Sequence, residues 1–204
     1  MNLDKIEKLY SDNIKAYGID SRAVGWNSSE SQILRFEKLL KIIKAKDDSF
    51  TINELGCGYG ELFKFLEKSD FNLSQFKGYD ISEPMLEKCK EYIGKTSKLQ
   101  LYNSSKLKTV ADYTITSGIF NTPFDNKVID WEAYIKKTII EMYAFSKKGI
   151  AFNFLTTAVD FRNENLFYQD PSKMLSFCLK QFGKNVIVLH DYELFEFTVL
   201  IFKN

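Results

Sequence analysis

Apolar positions along the chain change period several times, and each change marks an element. From about Leu3 to Tyr17, and again from about Ser29 to Ala45, they recur with helical spacing; the second run puts Ile33, Phe36, Leu40 and Ile43 on one face. Ser29 with Gln32 reads as a capping box at the start of that second helix. Short runs rich in β-branched and aromatic residues then alternate with helical ones. The strand runs are FTINEL (50–55), QFKGYDI (75–81), KLQLYN (98–103), DYTITSGIF (112–120) and GIAFNFLTT (149–157). The helical runs between them are GELFKFLEK (60–68), EPMLEKCKEYI (83–93) and WEAYIKKTIIEMYAFSKK (131–148). Asp170 and Pro171 form an N-cap and a first-turn proline ahead of a helix with Met174, Cys178 and Phe182 on one face.

Alternating strands and helices with near-continuous apolar strands predict a parallel sheet covered on both faces. The end of the chain breaks that rhythm. NVIVLHDY (185–192) and FEFTVLIFK (195–203) are separated by too few residues for a parallel crossover, so they are predicted to form a hairpin whose last strand runs antiparallel. The expectation is an α/β fold, one domain over 1–204, with an N-terminal helical cap (1–48) and an α/β core (49–204).

The first strand leads into Glu54-Leu55-Gly56-Cys57-Gly58-Tyr59-Gly60, three glycines in five residues just before a helix. Glycines there let the backbone take positive φ and let a ligand approach the main chain. In open α/β sheets ligands bind beyond the carboxyl ends of the strands. The spacing is GxGxG with an acid two residues ahead, and it suits a ligand without a pyrophosphate and with a positive group for Glu54 to attract. Asp80, at the carboxyl end of the second strand, is placed to accept hydrogen bonds from both hydroxyls of a ribose. Adenosine is implied, with Ile81 on the adenine face and Ser104 at its edge.

Composition narrows the partners. Lys and Arg number 28 against 27 Asp and Glu, so no excess positive charge is available for a phosphate backbone, and nucleic acid is disfavoured. Cys57, Cys89 and Cys178 lack metal-ligand spacing, and Cys89 and Cys178 fall on apolar helix faces as core residues. With no signal-peptide pattern and no membrane-length apolar run, the expectation is a cytoplasmic protein without a membrane partner. No metal is expected: Asp80 is committed to ribose and Asp112 begins its strand.

These elements together resemble the class I S-adenosylmethionine-dependent methyltransferases. ELGCGYG is similar to their first motif, YDIS to their second-strand acid, and the terminal hairpin to their reversed seventh strand. The resemblance implies a Rossmann-like seven-stranded sheet, mostly parallel with an antiparallel last strand, and S-adenosyl-L-methionine as cofactor. Glu54, Gly56, Cys57, Gly58, Gly60, Asp80, Ile81, Ser104 and Ser117 would hold it. Related enzymes often cover the cofactor with the segment ahead of the glycine strand, so Arg35 is a candidate for the methionine carboxylate and Trp26 for closing the pocket; a hydrophobic staple and a solvated helix position are the alternatives.

SGIFN, GIAFNFLTT and LHDYELFEFT are further similar to small bacterial methyltransferases of capsule and surface-polysaccharide loci, including those that O-methylate nucleotide-linked heptoses. That likeness implies a small-molecule acceptor, a sugar hydroxyl on a nucleotide sugar of the GDP-heptose type. An RNA or protein methyltransferase and a non-catalytic cofactor-binding regulator remain alternatives. Asn121-Thr-Pro-Phe124 lies out of register for an adenine amino-methyltransferase signature, which leaves Asn121 as a substrate contact. The long segment 156–169 offers Arg162 for a substrate phosphate and Tyr168 for stacking. An alcohol needs a base to take its proton. His190, the only histidine, follows the sixth strand and is the expected base, with Asp191 as its orienting partner or the base itself and Tyr192 toward the substrate.

Overall fold

The computed structural model describes residues 3–44 and 48–203. Its strands are β1 (Phe50–Leu55), β2 (Leu73–Asp80), β3 (Leu99–Asn103), β4 (Ala111–Thr116), β5 (Ser146–Thr156), β6 (Tyr168–Gln169), β7 (Val186–Leu189) and β8 (Glu196–Phe202). Its α-helices are α1 (Asp4–Tyr17), α2 (Ser29–Leu39), α3 (Glu61–Glu67), α4 (Glu83–Ile93), α5 (Val128–Ala144) and α6 (Pro171–Phe182). The strands form one sheet in the order β3-β2-β1-β4-β5-β8-β7. Pairing from β3 to β5 is parallel, whereas β8 runs antiparallel to both β5 and β7. This is the expected α/β Rossmann-like sheet with a reversed last strand. The two-residue β6 adds an eighth strand beside the end of β5, pairing Leu155 with Tyr168.

The order reverses direction at β1, so the carboxyl ends of β1 and β4 flank the switch point where open α/β sheets bind ligands. Both faces of the sheet are covered, as apolar parallel strands require. Phe36, Leu39, Phe63 and Leu86 pack with Ile52 and Phe76 in one cluster; Trp131, Ile135, Ile139 and Met174 pack with Phe152 and Phe197 in another. Cys89 and Cys178 are fully buried in helix faces. Among the described residues no helix is long and apolar enough to cross a membrane.

Several local details differ from the sequence pattern. Residues 146–148, expected at the end of a helix, instead begin β5, and α5 ends at Ala144. The N-cap of α2 is Ser28, whose Oγ accepts from the Ser31 N–H at 3.2 Å; Gln32 instead accepts a hydrogen bond from Tyr59 Oη at 3.2 Å and so ties α2 to the glycine turn. Helix α2 ends at Leu39 and tightens into a 3₁₀ turn over Leu40–Ile42, while Ala45, the expected end, lies outside the described residues. Strand β4 stops at Thr116 because Gly118, with φ of 77°, turns the chain across the top of the sheet.

Helix α1 is held over the same end of the sheet. Its Ile14 packs with Ala23, Tyr59 and Met85. Beside that contact the Ser11 and Ser82 hydroxyls hydrogen-bond at 2.7 Å in a buried position. Ser82 also caps α4 through the Met85 N–H, so one serine joins α1, β2 and α4.

Candidate active site

The turn after β1 is shaped by close contacts. The Gly56 and Cys57 N–H groups both donate to the Tyr79 carbonyl, at 2.7 and 3.0 Å, which locks the turn against the end of β2. Gly56 has φ of 77°, and a Cβ there would come within 2.3 Å of Ile119 Cγ2; at Gly58, φ is 54° and a Cβ would meet Val24 Cγ1 at 2.8 Å. Both positions therefore exclude side chains for room as well as for backbone angle.

Above this turn lies a cavity of about 340 Å³, the lower end of the range for small-molecule sites. Two carboxylates enter it from neighbouring strand ends. Asp80 Oδ2 accepts from the Gly58 N–H and Oδ1 from the Ser82 N–H, both at 2.9 Å. Burial raises its pKa, and the amides of Ser82, Gly58 and Ile81 oppose that rise. Glu54 is 3% exposed, and its Oε2 has no hydrogen-bond partner. Burial, reinforced by the nearby Asp80 charge, pushes its carboxyl well above the ordinary range.

A polar network forms one wall of the cavity. Arg35 Nε donates to both carboxylate oxygens of Glu196 at 3.0 Å, Nη2 donates to Oε1, and Nη1 donates to the Ser31 carbonyl. Asn153 Nδ2 donates to Glu196 Oε2 at 2.7 Å, while Asn153 Oδ1 accepts from the Gly118 N–H at 2.9 Å. The Trp26 ring lies 3.7 Å from the Arg35 guanidinium on one side, and Gly118 lies close on another, since a Cβ there would reach Trp26 at 2.4 Å. Trp26 and Arg35 thus line the cavity together, and the guanidinium charge is matched by Glu196.

The cavity gathers most of the residues singled out in the sequence: Trp26, Arg35, Glu54, Gly56, Cys57, Gly58, Asp80, Ile81, Ser104, Ser117 and Asn121 all line it. Gly60 does not. It is the N-cap of α3, with φ of 88°, and a Cβ would strike Cys89 Sγ at 2.6 Å, so it serves the packing of α3 on α4.

The expected catalytic pair is also elsewhere. His190 is exposed, its ring 6.3 Å from Phe197, and does not line the cavity. The reason is sheet order: β7 is the edge strand, with β8 and β5 between it and β4, and three strand spacings of about 4.8 Å put its end roughly 14 Å from that of β4. Asp191 is exposed and pairs with Lys38 Nζ at 2.9 Å, which holds its carboxyl below the ordinary range. Tyr192 spends its hydroxyl on Thr198 Oγ1 at 2.9 Å. Arg162 and Tyr168 are likewise occupied within their own segment. Arg162 donates to the Thr157 carbonyl at 3.2 Å, and Tyr168 Oη accepts from the Asn163 N–H at 3.0 Å. Leu166 is the residue of that segment that reaches the cavity, held there by the Phe167 N–H donating to the Asn121 carbonyl at 2.8 Å.

Other lining residues were missed by sequence reasoning. Helix α1 contributes Ile6, Leu9, Tyr10 and Asn13, and β8 contributes Glu196. The Tyr10 phenol is pushed up to about 12 by burial and by Asp80, against the hydrogen bond from Thr122. A signal for Glu196 was present: a carboxylate inside FEFTVLIF must be buried and therefore needs a buried cation. For Tyr10 there was none, because helix periodicity does not say which distant loop the helix covers.

A Rossmann-like sheet with a reversed last strand, a glycine turn after β1 and an acid at the end of β2 defines the class I methyltransferase fold. The comparisons agree. A curated protein of Mycobacterium tuberculosis (strain ATCC 25618 / H37Rv), "Putative methyltransferase Rv1506c", is 34% identical over 166 residues, 80% of this chain and 99% of its own length. The chain belongs to that methyltransferase family. Among solved structures, the DhpI-SAM-HEP complex superposes with a TM-score of 0.68 at 12% identity, covering 97% of this chain and 96% of that one. The methyltransferase domain of bacterial CtHen1 superposes with a TM-score of 0.57 at 18% identity, covering 81% and 93%. No family model matches the chain.

Proposed function

We propose that the protein transfers the methyl group of S-adenosyl-L-methionine to a hydroxyl of a small metabolite, with a nucleotide-linked sugar as the specific acceptor. The observation that carries the cofactor is the unpartnered, buried Glu54 Oε2 beside Asp80, at the ends of adjacent strands over a glycine turn. A buried carboxylate oxygen without a donor is costly, and an ammonium or sulfonium near it removes that cost. The residues present fit S-adenosylmethionine. Asp80 would accept from the ribose hydroxyls, Ile81 and Ser104 would meet the adenine, and Glu54 would face the positive methionyl end near Arg35. When bound, the cofactor supplies a methyl group already activated on sulfur.

The remaining work of the chain is alignment and exclusion of water. Trp26, fixed between Arg35 and Gly118, and Tyr10 on α1 would close the cavity. Glu54 and Asp80 would hold the cofactor so that its methyl could pass to the acceptor oxygen, Trp26 and Tyr10 would wall the acceptor in, and the hydroxyl proton would be given up to solvent at the cavity mouth. Tyr10, with its raised pKa, is a hydrogen-bonding group rather than a base at neutral pH. The near balance of charge in the chain, 28 Lys and Arg against 27 Asp and Glu, supports a small acceptor over RNA. The name of the mycobacterial relative and the SAM held in the DhpI-SAM-HEP complex support the reaction class.

The test is transfer of labelled methyl from S-adenosylmethionine to separate pools of nucleotide sugars, RNA and protein. Label in the nucleotide-sugar pool is expected. Label confined to RNA or protein contradicts the acceptor, and label in no pool despite measured cofactor binding favours a regulator without turnover.

A further inference from the structure

The cavity divides into two halves of different charge. Over the ends of β1 and β2 it carries Glu54 and Asp80, with Glu61 at the start of α3. Over the ends of β4 and β5 its lining is Ser117, Ile119, Asn121, Thr122 and Leu155, with Trp131 and Tyr134 from α5 and Leu166 from the excursion after β5. The formal charges in that second half are the mutually neutralising pair Arg35 and Glu196, since Glu196 opposes Leu155 across β5 and β8. The one cation lining the whole described cavity, Arg35, is bonded to the buried carboxylate of Glu196. A phosphate or carboxylate entering the second half would lose its hydration with no unmatched cation to meet, and would face the acids of the first half.

What the second half offers is hydrogen bonding. Asn121 is 6% exposed, and its Oδ1 has no partner. Ser117 Oγ, on the same loop after β4, is also buried without a partner. The loop is not free to turn these groups away: the Asn121 N–H donates to the Gly118 carbonyl at 3.2 Å, its carbonyl accepts from Phe167, and the Gly118 N–H is fixed by Asn153. An amide oxygen accepts only, so its complement is an O–H or N–H. Apolar walls with a few unpaired polar atoms are the composition of a recognition site.

We propose that the half of the cavity over β4 and β5 takes an uncharged, hydroxyl-bearing portion of the acceptor, with Asn121 Oδ1 accepting from one of its hydroxyls and Ser117 Oγ meeting a second. Any phosphate or carboxylate of the acceptor stays outside. On the nucleotide-sugar reading, the sugar ring enters and the diphosphate remains at the mouth. This inference rests on the methyltransferase reading, because the cofactor must fill the acidic half.

The test uses the wild-type protein loaded with S-adenosylhomocysteine and saturation-transfer NMR with two matched sets of probes. One set is neutral methyl pyranosides; the other is the uronates of the same configurations. Neutral glycosides are expected to receive saturation, and the matching uronates to receive none. Asn121→Leu should weaken the neutral probe about tenfold, the value of one hydrogen bond in a desolvated site, while S-adenosylhomocysteine affinity stays unchanged by calorimetry. Ser117→Ala should weaken the neutral probe as well, with a smaller change in volume; because the family resemblance puts Ser117 among the cofactor contacts, that variant's S-adenosylhomocysteine affinity is not a criterion. Uronates binding as well as neutral probes, no probe binding at all, or both variants binding the neutral probe as wild type does would overturn the inference. Failure of S-adenosylhomocysteine to bind wild-type protein would instead overturn the methyltransferase reading.

Discussion

At the scale of single residues, the chemistry turns on what burial does to two carboxyls. Glu54 and Asp80 both have pKa values raised by burial in the folded protein. A raised acid makes the folded state bind more protons than the unfolded one, so its contribution favours folding below the ordinary carboxylate range. That contribution is lost as pH rises from there through the raised value. Thermal midpoints of the ligand-free protein should therefore fall across that window relative to Glu54→Gln, and the variant should be the more stable above it. Parallel midpoints at every pH would show that Glu54 is not buried as an acid. Cofactor binding should reverse the sign, because a cation beside Glu54 favours the carboxylate and releases a proton. His190 carries the opposite expectation. Lying outside the cavity, it should behave as a surface position, so His190→Ala should keep turnover within about twofold of wild type. A loss of about a hundredfold or more, the size of a missing general base, would place it at the reacting atoms after all.

At the scale of elements, the glycine turn separates into two jobs that its sequence does not distinguish. Gly56 and Gly58 sit under the cavity, whereas Gly60 caps α3 against Cys89 and Ile93 on α4. Gly60→Ala should lower stability by roughly 1–2 kcal/mol or more through its positive φ, measured by denaturant titration, and leave cofactor affinity nearly intact. Gly58→Val, beside Asp80, should lose affinity itself. Equal loss of affinity in both variants would mean the turn acts as one unit. The turn was legible because glycines at such spacing are costly without a purpose, and the terminal hairpin because its connection is too short for a crossover. The fate of the strand-end residues was not. Sequence alternation placed His190 at the proper end of its strand but could not say that the strand is the sheet's edge, a fact set by long-range pairing with β8. The same limit hid Tyr10 and Asn13, which reach the cavity because the packing of Ile14 and the Ser11–Ser82 contact seat α1 over it.

At the scale of the whole molecule, the fold brings the ends of β1, β2, β4 and β5 to one cavity, and α1 and the Trp26 segment cover it. Its acidic half suits a cationic cofactor, and its neutral half suits a hydroxylated acceptor. The central claim is that the acidic half holds the adenosyl cofactor through Asp80. A calorimetric titration of wild-type protein and Asp80→Ala with S-adenosylhomocysteine tests it directly. Hydrogen bonds to a charged acceptor contribute roughly 1.5–3 kcal/mol, so the account predicts one binding site in the wild type and about ten- to a hundredfold weaker binding in a variant that remains folded by circular dichroism. Wild-type protein that takes up no S-adenosylhomocysteine, or a folded Asp80→Ala variant that binds it as tightly as wild type, would contradict it.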